Sequence, residues 1–164
     1  MRVILITIIV LSLAGIFDAG YALSQHYAPA DTSSCDFNET VSCTAVNQSQ
    51  YSEIAVIPVA GIGMTGYLLL SLLAAAGLSR FAWGKLAPRL LLATSLSALG
   101  VSIWLTYVEI VILKAICPLC VLSLFLITMI TMLAILVVLN RRRGRTATRH
   151  VITALRHCFS SLHL

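Results

Sequence analysis

Charge is what this chain has least of. Only 10% of its 164 residues are charged, 11 Lys or Arg and six Asp or Glu. A soluble domain carries roughly 25%. That shortage excludes an apolar core wrapped in a water-facing shell, because 59% of the residues are hydrophobic and the mean hydropathy is +0.97. Basic residues are missing altogether from 24–53, the one sizeable polar stretch. Dinucleotide, flavin and haem motifs are absent, which removes the common resident electron carriers. His26, His150, His157 and His163 show no metal-ligand spacing, and no internal repeat or low-complexity tract is evident.

What remains is mostly long apolar runs. Four approach or exceed the ~20 residues that cross a bilayer as a helix. They lie at about Val3–Leu23, Ile54–Leu78, Leu86–Leu113 and Ala115–Leu139. In lipid only a helix satisfies its own backbone polar groups, so the expected fold is an all-α membrane protein, a four-transmembrane-helix bundle. The first run has an alternative reading as a signal peptide with a small-residue cut near Ala19-Gly20. Residues 1–140 are read as the transmembrane redox domain and 141–164 as a basic tail. No second soluble domain is expected to follow.

Basic residues orient such a bundle. Arg80, Lys85 and Arg89 fall between the second and third runs; Arg141, Arg142, Arg143, Arg145, Arg149 and Arg156 follow the fourth. The positive-inside rule puts both termini and the 79–89 loop in the cytoplasm, and 24–53 and 114–117 outside. A basic cluster also invites a nucleic-acid reading, but beside a span it is an orientation signal, so no nucleic-acid partner is expected. The pattern of Val151, Ile152, Leu155, Phe159 and Leu162 suits a helix on an anionic membrane surface; a disordered tail is the alternative.

Orientation used no information about cysteine, yet it brings four cysteines to one face. Cys35 and Cys43 sit in the outer loop, and Cys117-Pro118-Leu119-Cys120 opens the fourth run. Outer compartments favour disulfides. Structural zinc would need rigid convergence at one tetrahedral point, which a loop pair and a helix-start pair do not suggest. Purely structural disulfides explain Cys35 and Cys43 adequately. They explain Cys117 and Cys120 poorly, because a bridge across two residues removes little chain entropy. At a helix start, free N–H groups and the dipole favour a Cys117 thiolate. Cys120 lies one turn deeper, toward the hydrocarbon. Thiol exchange only moves electrons between sulfur pairs, so an acceptor is required. By exclusion it is a membrane quinone, ubiquinone or menaquinone.

The run Cys35-Asp36-Phe37-Asn38-Glu39-Thr40-Val41-Ser42-Cys43, then Ser49, Ile57-Pro58-Val59 and the C-P-L-C at 117–120 resembles the bacterial branch of the vitamin K epoxide reductase family. The resemblance covers about residues 3–139. It implies a four-helix bundle around a quinone. Cys117 and Cys120 match the active-site pair, with Cys120 beside the quinone. Cys35 and Cys43 match the loop pair that carries electrons from a thioredoxin-like partner. Ser49 matches a serine in a short helix over the pocket. Many bacterial relatives carry a fused thioredoxin domain; here the partner is expected in trans. Animal enzymes have a Tyr where this chain has Leu124, and an Asn in the second helix that Pro58–Leu70 does not supply.

The candidate catalytic residues are therefore Cys117, Cys120, Cys35 and Cys43, and the candidate quinone-binding residues Cys120, Ser49 and Glu109. Asp18 and Glu109 are acids inside apolar runs, where an ionisable group is costly. A proton relay to quinone is one reading; bonding to polar groups of neighbouring helices is preferred. Gly61, Gly63 and Gly66 are read as close helix packing rather than room for a ring. Trp104 and Tyr107 suit the aromatic interface or the bundle interior. Cys158 is read as an unpaired thiol of the tail. Asn38-Glu39-Thr40 and Asn47-Gln48-Ser49 fit the glycosylation pattern, and sugars there would obstruct a working loop.

The function expected is a quinone-dependent thiol:disulfide oxidoreductase of the plasma membrane that reoxidises a thioredoxin-like partner. Alternatives are a quinone-epoxide reductase, a non-enzymatic tetraspan scaffold with structural disulfides, and a metal or small-molecule carrier.

Overall fold

The computed structural model describes residues 1–28, 36, 41–49, 51–54, 57–78 and 86–160, those from 142 onward as backbone alone. Within them lie α1 (Arg2–Tyr27), a short α2 (Cys43–Asn47), strands β1 (Glu53–Ile54) and β2 (Ile57–Pro58), α3 (Val59–Leu78), α4 (Ala87–Tyr107) and α5 (Pro118–Ser160). Four segments are long and apolar enough to cross a membrane: Arg2–Tyr27, Val59–Leu78, Ala87–Leu113 and Pro118–Arg141.

Local chemistry sets their ends. The second span starts at Val59 rather than Ile54, because Pro58 pushes Ile57 into extended backbone and the two short strands pair antiparallel, Glu53 opposite Pro58 and Ile54 opposite Ile57. The third span widens after Tyr107 into a π-helical turn, Val108–Leu113, and stops at Lys114, whose left-handed φ of 51° breaks the helix. The fourth starts at Pro118, where the missing N–H costs nothing. Its helix then runs past Leu139 without a break to Ser160, which resolves the tail's backbone as helix through that residue.

The bundle core is aliphatic. Ile8 of α1, Leu70 and Ala74 of α3, Leu91 of α4, and Ile130 and Val137 of α5 are fully buried together. The first run belongs to this core, as a packed span would. The outward faces carry Val3, Phe17, Leu72, Ile103 and Phe125, all exposed in the isolated chain and suited to lipid. Trp104 and Tyr107, 51% and 57% exposed, lie on that outer face and not in the interior.

Glycines divide into two kinds. At Gly15 a Cβ would lie 2.5 Å from the Tyr67 ring, so α1 must be bare where Tyr67 of α3 crosses it. At Gly61 and Gly66 a Cβ would meet nothing within 4 Å, and at Gly63 only Ala19 at 3.9 Å. The expectation that these three serve close packing is corrected: none of them is held bare by a neighbouring helix.

Candidate redox site

The loop after α1 is pinned over one end of the bundle. Ser42 opens α2 as its cap, its Oγ accepting from Ala45 N at 3.0 Å. Asp36 reinforces that end: Ser42 Oγ donates to it at 2.8 Å, Thr44 N at 3.1 Å and Thr44 Oγ1 at 2.5 Å. The Thr44 hydroxyl is the main reason the Asp36 carboxyl lies below its ordinary range. On one flank, Val41 pairs in parallel with Ile116, and Ser42 N donates to Ile116 O at 3.2 Å. On the other, His26 near the end of α1 bridges Asn47 O at 2.5 Å and Glu53 Oε1 at 3.1 Å. Gln48 Nε2 donates to Gln25 O and Ala28 O at 3.3 and 2.9 Å, satisfying carbonyls at the end of α1.

This stitching brings the sulfurs together. Cys43 is disulfide-bonded, whereas Cys117 and Cys120 are free thiols. The Cys117 Sγ–H points at Cys43 Sγ across 3.6 Å, and both residues are fully buried. Val46, Ala115, Leu113 and Leu119 close an apolar jacket around them. Asn47 Nδ2 approaches Cys117 Sγ at 3.9 Å. The Cys120 thiol donates to Cys117 and is the main reason the Cys117 thiol lies below its ordinary range; burial opposes this, and N–H groups of Cys120 and Leu119 at the helix start assist it. Glu109, in the π-helical turn, accepts from Cys117 N through Oε2 at 3.3 Å, and its carboxyl also reaches the Cys120 thiol. A π-helical turn at a functional site is a recurrent device for re-aiming one side chain.

Beneath the sulfurs lies a mostly apolar cavity of about 340 Å³, within the range of small-molecule sites. Cys120, Glu109 and Ser49 line it. So do Asp18 and His26 of α1, Gly63, Gly66 and Tyr67 of α3, and Ser123 of α5. Cys117 does not, although it touches both Cys43 and Cys120. The three sulfurs thus lie in series from loop to cavity, in the order Cys43, Cys117, Cys120. A flat, largely apolar quinone head group suits this lining and volume.

Of the residues singled out from sequence, Cys43, Cys117, Cys120, Glu109 and Ser49 are gathered here; Cys35 lies outside the described residues, as does Asn38. Ser49 stands beyond the end of α2 rather than within it, and its Oγ donates to Val46 O at 2.8 Å, so it secures the loop. Asn47 is buried against Cys117, which removes it as a glycosylation acceptor. Asp18 was expected to bond a neighbouring helix; its buried Oδ1 has no hydrogen-bond partner among the described residues. Sequence reasoning missed His26, Asn47, Tyr67 and Ser123. For some the signal was helical spacing: Asp18, Ala22 and His26 recur every four residues, and Ser123 follows Cys120 by three.

No curated protein matches the chain. The model of the vitamin K epoxide reductase family matches residues 6–135 of its 164. With four membrane-capable helices, a disulfide facing a free thiol, and a second thiol on an apolar cavity, the chain belongs to the vitamin K epoxide reductase family, membrane oxidoreductases that link thiols to quinone-type substrates.

Proposed function

We propose that the protein reoxidises a thioredoxin-like partner acting in trans and passes the electrons to a membrane quinone, driving disulfide formation outside the cytoplasm. The observation that carries this reading is the 3.6 Å approach of the free Cys117 sulfur to the disulfide-bonded Cys43, with Cys120 next in line on the cavity.

The partner's thiolate attacks the Cys35–Cys43 disulfide at Cys35, since Cys43 is buried against Cys117, and its second cysteine resolves the mixed disulfide. That leaves the partner oxidised and the loop pair reduced. Cys43 then attacks Cys117 of the oxidised 117–120 pair, releasing Cys120 as a thiolate. Attack by Cys35 on Cys43 frees Cys117 and restores the loop disulfide. The arrangement of a bonded Cys43 with free Cys117 and Cys120 corresponds to this stage. The dithiol now yields two electrons and two protons to the quinone and closes as a disulfide. Cys120 is the sulfur that faces the acceptor. Glu109 holds the Cys117 backbone and sits beside the Cys120 thiol, positioned to take the proton that leaves it.

Topology supports the same scheme. Under the positive-inside rule, the Lys and Arg of 79–89 and of the tail favour the cytoplasm for those segments, and the 24–53 loop, which has neither, the outer side. Plain quinone is favoured over its epoxide, because Leu124 does not line the cavity and α3 contributes no Asn to it.

The test is anaerobic mixing of purified protein, a reduced thioredoxin-fold donor and decylubiquinone or menadione. Quinone absorbance should fall only when Cys35, Cys43, Cys117 and Cys120 are all present. Undiminished turnover in Cys120→Ala would overturn the scheme.

A further inference from the structure

Of the three gathered cysteines only Cys120, on α5, lines the cavity. A quinone has two carbonyl oxygens at opposite ends of its ring, and Cys120 can serve one of them. The other needs a donor on a different wall.

Most polar groups of the lining are already engaged. His26 bonds Asn47 O and Glu53, Ser49 bonds Val46 O, and Glu109 accepts from Cys117 N. Tyr67 Oη reaches across from α3 to Ser123 O at 3.0 Å and Ser123 Oγ at 2.8 Å, so those two hydroxyls satisfy each other. Asp18 is different. Its relative exposure is 8%, it lines the cavity from α1, and its Oδ1 is the one fully buried polar side-chain atom of the cavity wall left without a partner among the described residues. An unpartnered buried polar atom in a native protein calls for an explanation. A buried acid among apolar groups is also expensive to keep. Gly63 and Gly66 of α3 line the same cavity, and a Cβ on Gly66 would meet nothing within 4 Å. Room for a flat ring therefore lies beside an acid with nothing to bond.

We propose that Asp18 is the second pole of the quinone site, its carboxyl O–H donating to the carbonyl oxygen remote from Cys120 and supplying that oxygen's proton on reduction. This rests on the quinone reading given above. The balance closes without another reactant: the dithiol and the quinone become the disulfide and the quinol. Asp18 lends one proton to the remote oxygen and regains one as the dithiol loses its second. Its uncharged form, the cheaper one in an apolar interior, is the donor.

Steady-state reduction of decylubiquinone by the wild type, Asp18→Asn and Asp18→Leu decides the matter. Asn keeps an N–H donor but no transferable proton, so KM should stay within about threefold and kcat fall at least tenfold, a floor below the roughly 10²–10⁴-fold that general acid catalysis contributes. Leu keeps neither, so KM should also rise at least tenfold, about 1.4 kcal/mol. Cys43–Cys117 exchange, read by alkylation and mass mapping, should be unchanged in both and reports that each variant is folded. An Asn variant with kcat within twofold of wild type, or a folded Leu variant with unchanged KM, overturns the proposal, as does a loss of exchange in parallel with turnover. Should Leu not fold, the kcat of Asn alone decides. A wild-type protein that reduces no quinone defeats the proposed function itself, before any variant is compared.

Discussion

Gly15→Ala and Gly66→Ala form a matched pair that separates packing from cavity. Both are glycines inside apolar helices, so the gain in helix propensity, up to about 1 kcal/mol, is common to both and cancels in the comparison. What differs is what the new methyl meets. At position 66 it enters open space. At position 15 it would stand 2.5, 2.6 and 2.7 Å from three ring atoms of Tyr67, distances that real carbons do not adopt. The ring is 5% exposed and its hydroxyl is held by Ser123, so it cannot swing aside freely. Overpacking of a buried site costs about 1–3 kcal/mol. Loss of the Tyr67–Ser123 bond adds about 1 kcal/mol. The two variants should therefore differ in stability by about 2–4 kcal/mol, Gly15→Ala being the weaker. Chemical denaturation in detergent, followed by tryptophan fluorescence, measures the difference. Because Tyr67 lines the cavity, Gly15→Ala should also raise the quinone KM, whereas Gly66→Ala shows only the propensity gain and trims the cavity by one methyl. Equal midpoints for the two variants would refute the crossing of α1 and α3 at Gly15.

Three more expectations test the loop and the redox helix. Asp36→Ala should lower stability by about 1 kcal/mol, as loss of a capping acceptor does, measured by thermal unfolding. With its folded carboxyl below the ordinary 3.8, Asp36 stabilises fully above that value, and the contribution should fade as pH falls through the lower folded value. Lys114→Gly should stabilise the protein by about 1 kcal/mol, because a left-handed φ of 51° strains any residue with a Cβ. Cys120→Ala removes the main hydrogen bond that favours the Cys117 thiolate, so the pH profile of Cys117 exchange with Cys43 should move to higher pH, read by quenched alkylation across pH 6–10.

The four spans were legible because apolar runs of bilayer length leave few alternatives, but their ends were not. Ile54 and Ala115 are as apolar as the helices that follow them. Only Pro58, and the left-handed Lys114 with the Ile116–Val41 pairing, exclude them from helix. The gathering of Cys43, Cys117 and Cys120 at one end of the bundle was legible from spacing and charge, because the distribution of Lys and Arg brings both segments to one face. Their order, with the loop's Cys43 against Cys117, depends on where the loop is stitched, and that lies in contacts of His26, Gln48 and Ile116 spread over about 90 residues of chain. The glycines of α3 misled for a related reason. A stripe of small residues looks the same in sequence whether a helix or a ligand fills the space, and the open surroundings of Gly66 tell them apart.

The central claim is that Cys43 and Cys117 trade bonds directly. A variant with Cys35, Cys120 and Cys158 replaced by Ser retains only these two thiols. Mild oxidation with diamide, alkylation and peptide mapping without reductant should recover a 43–117 disulfide within single chains. Recovery of both cysteines as separate alkylated thiols, or of disulfides only between chains, would contradict the account.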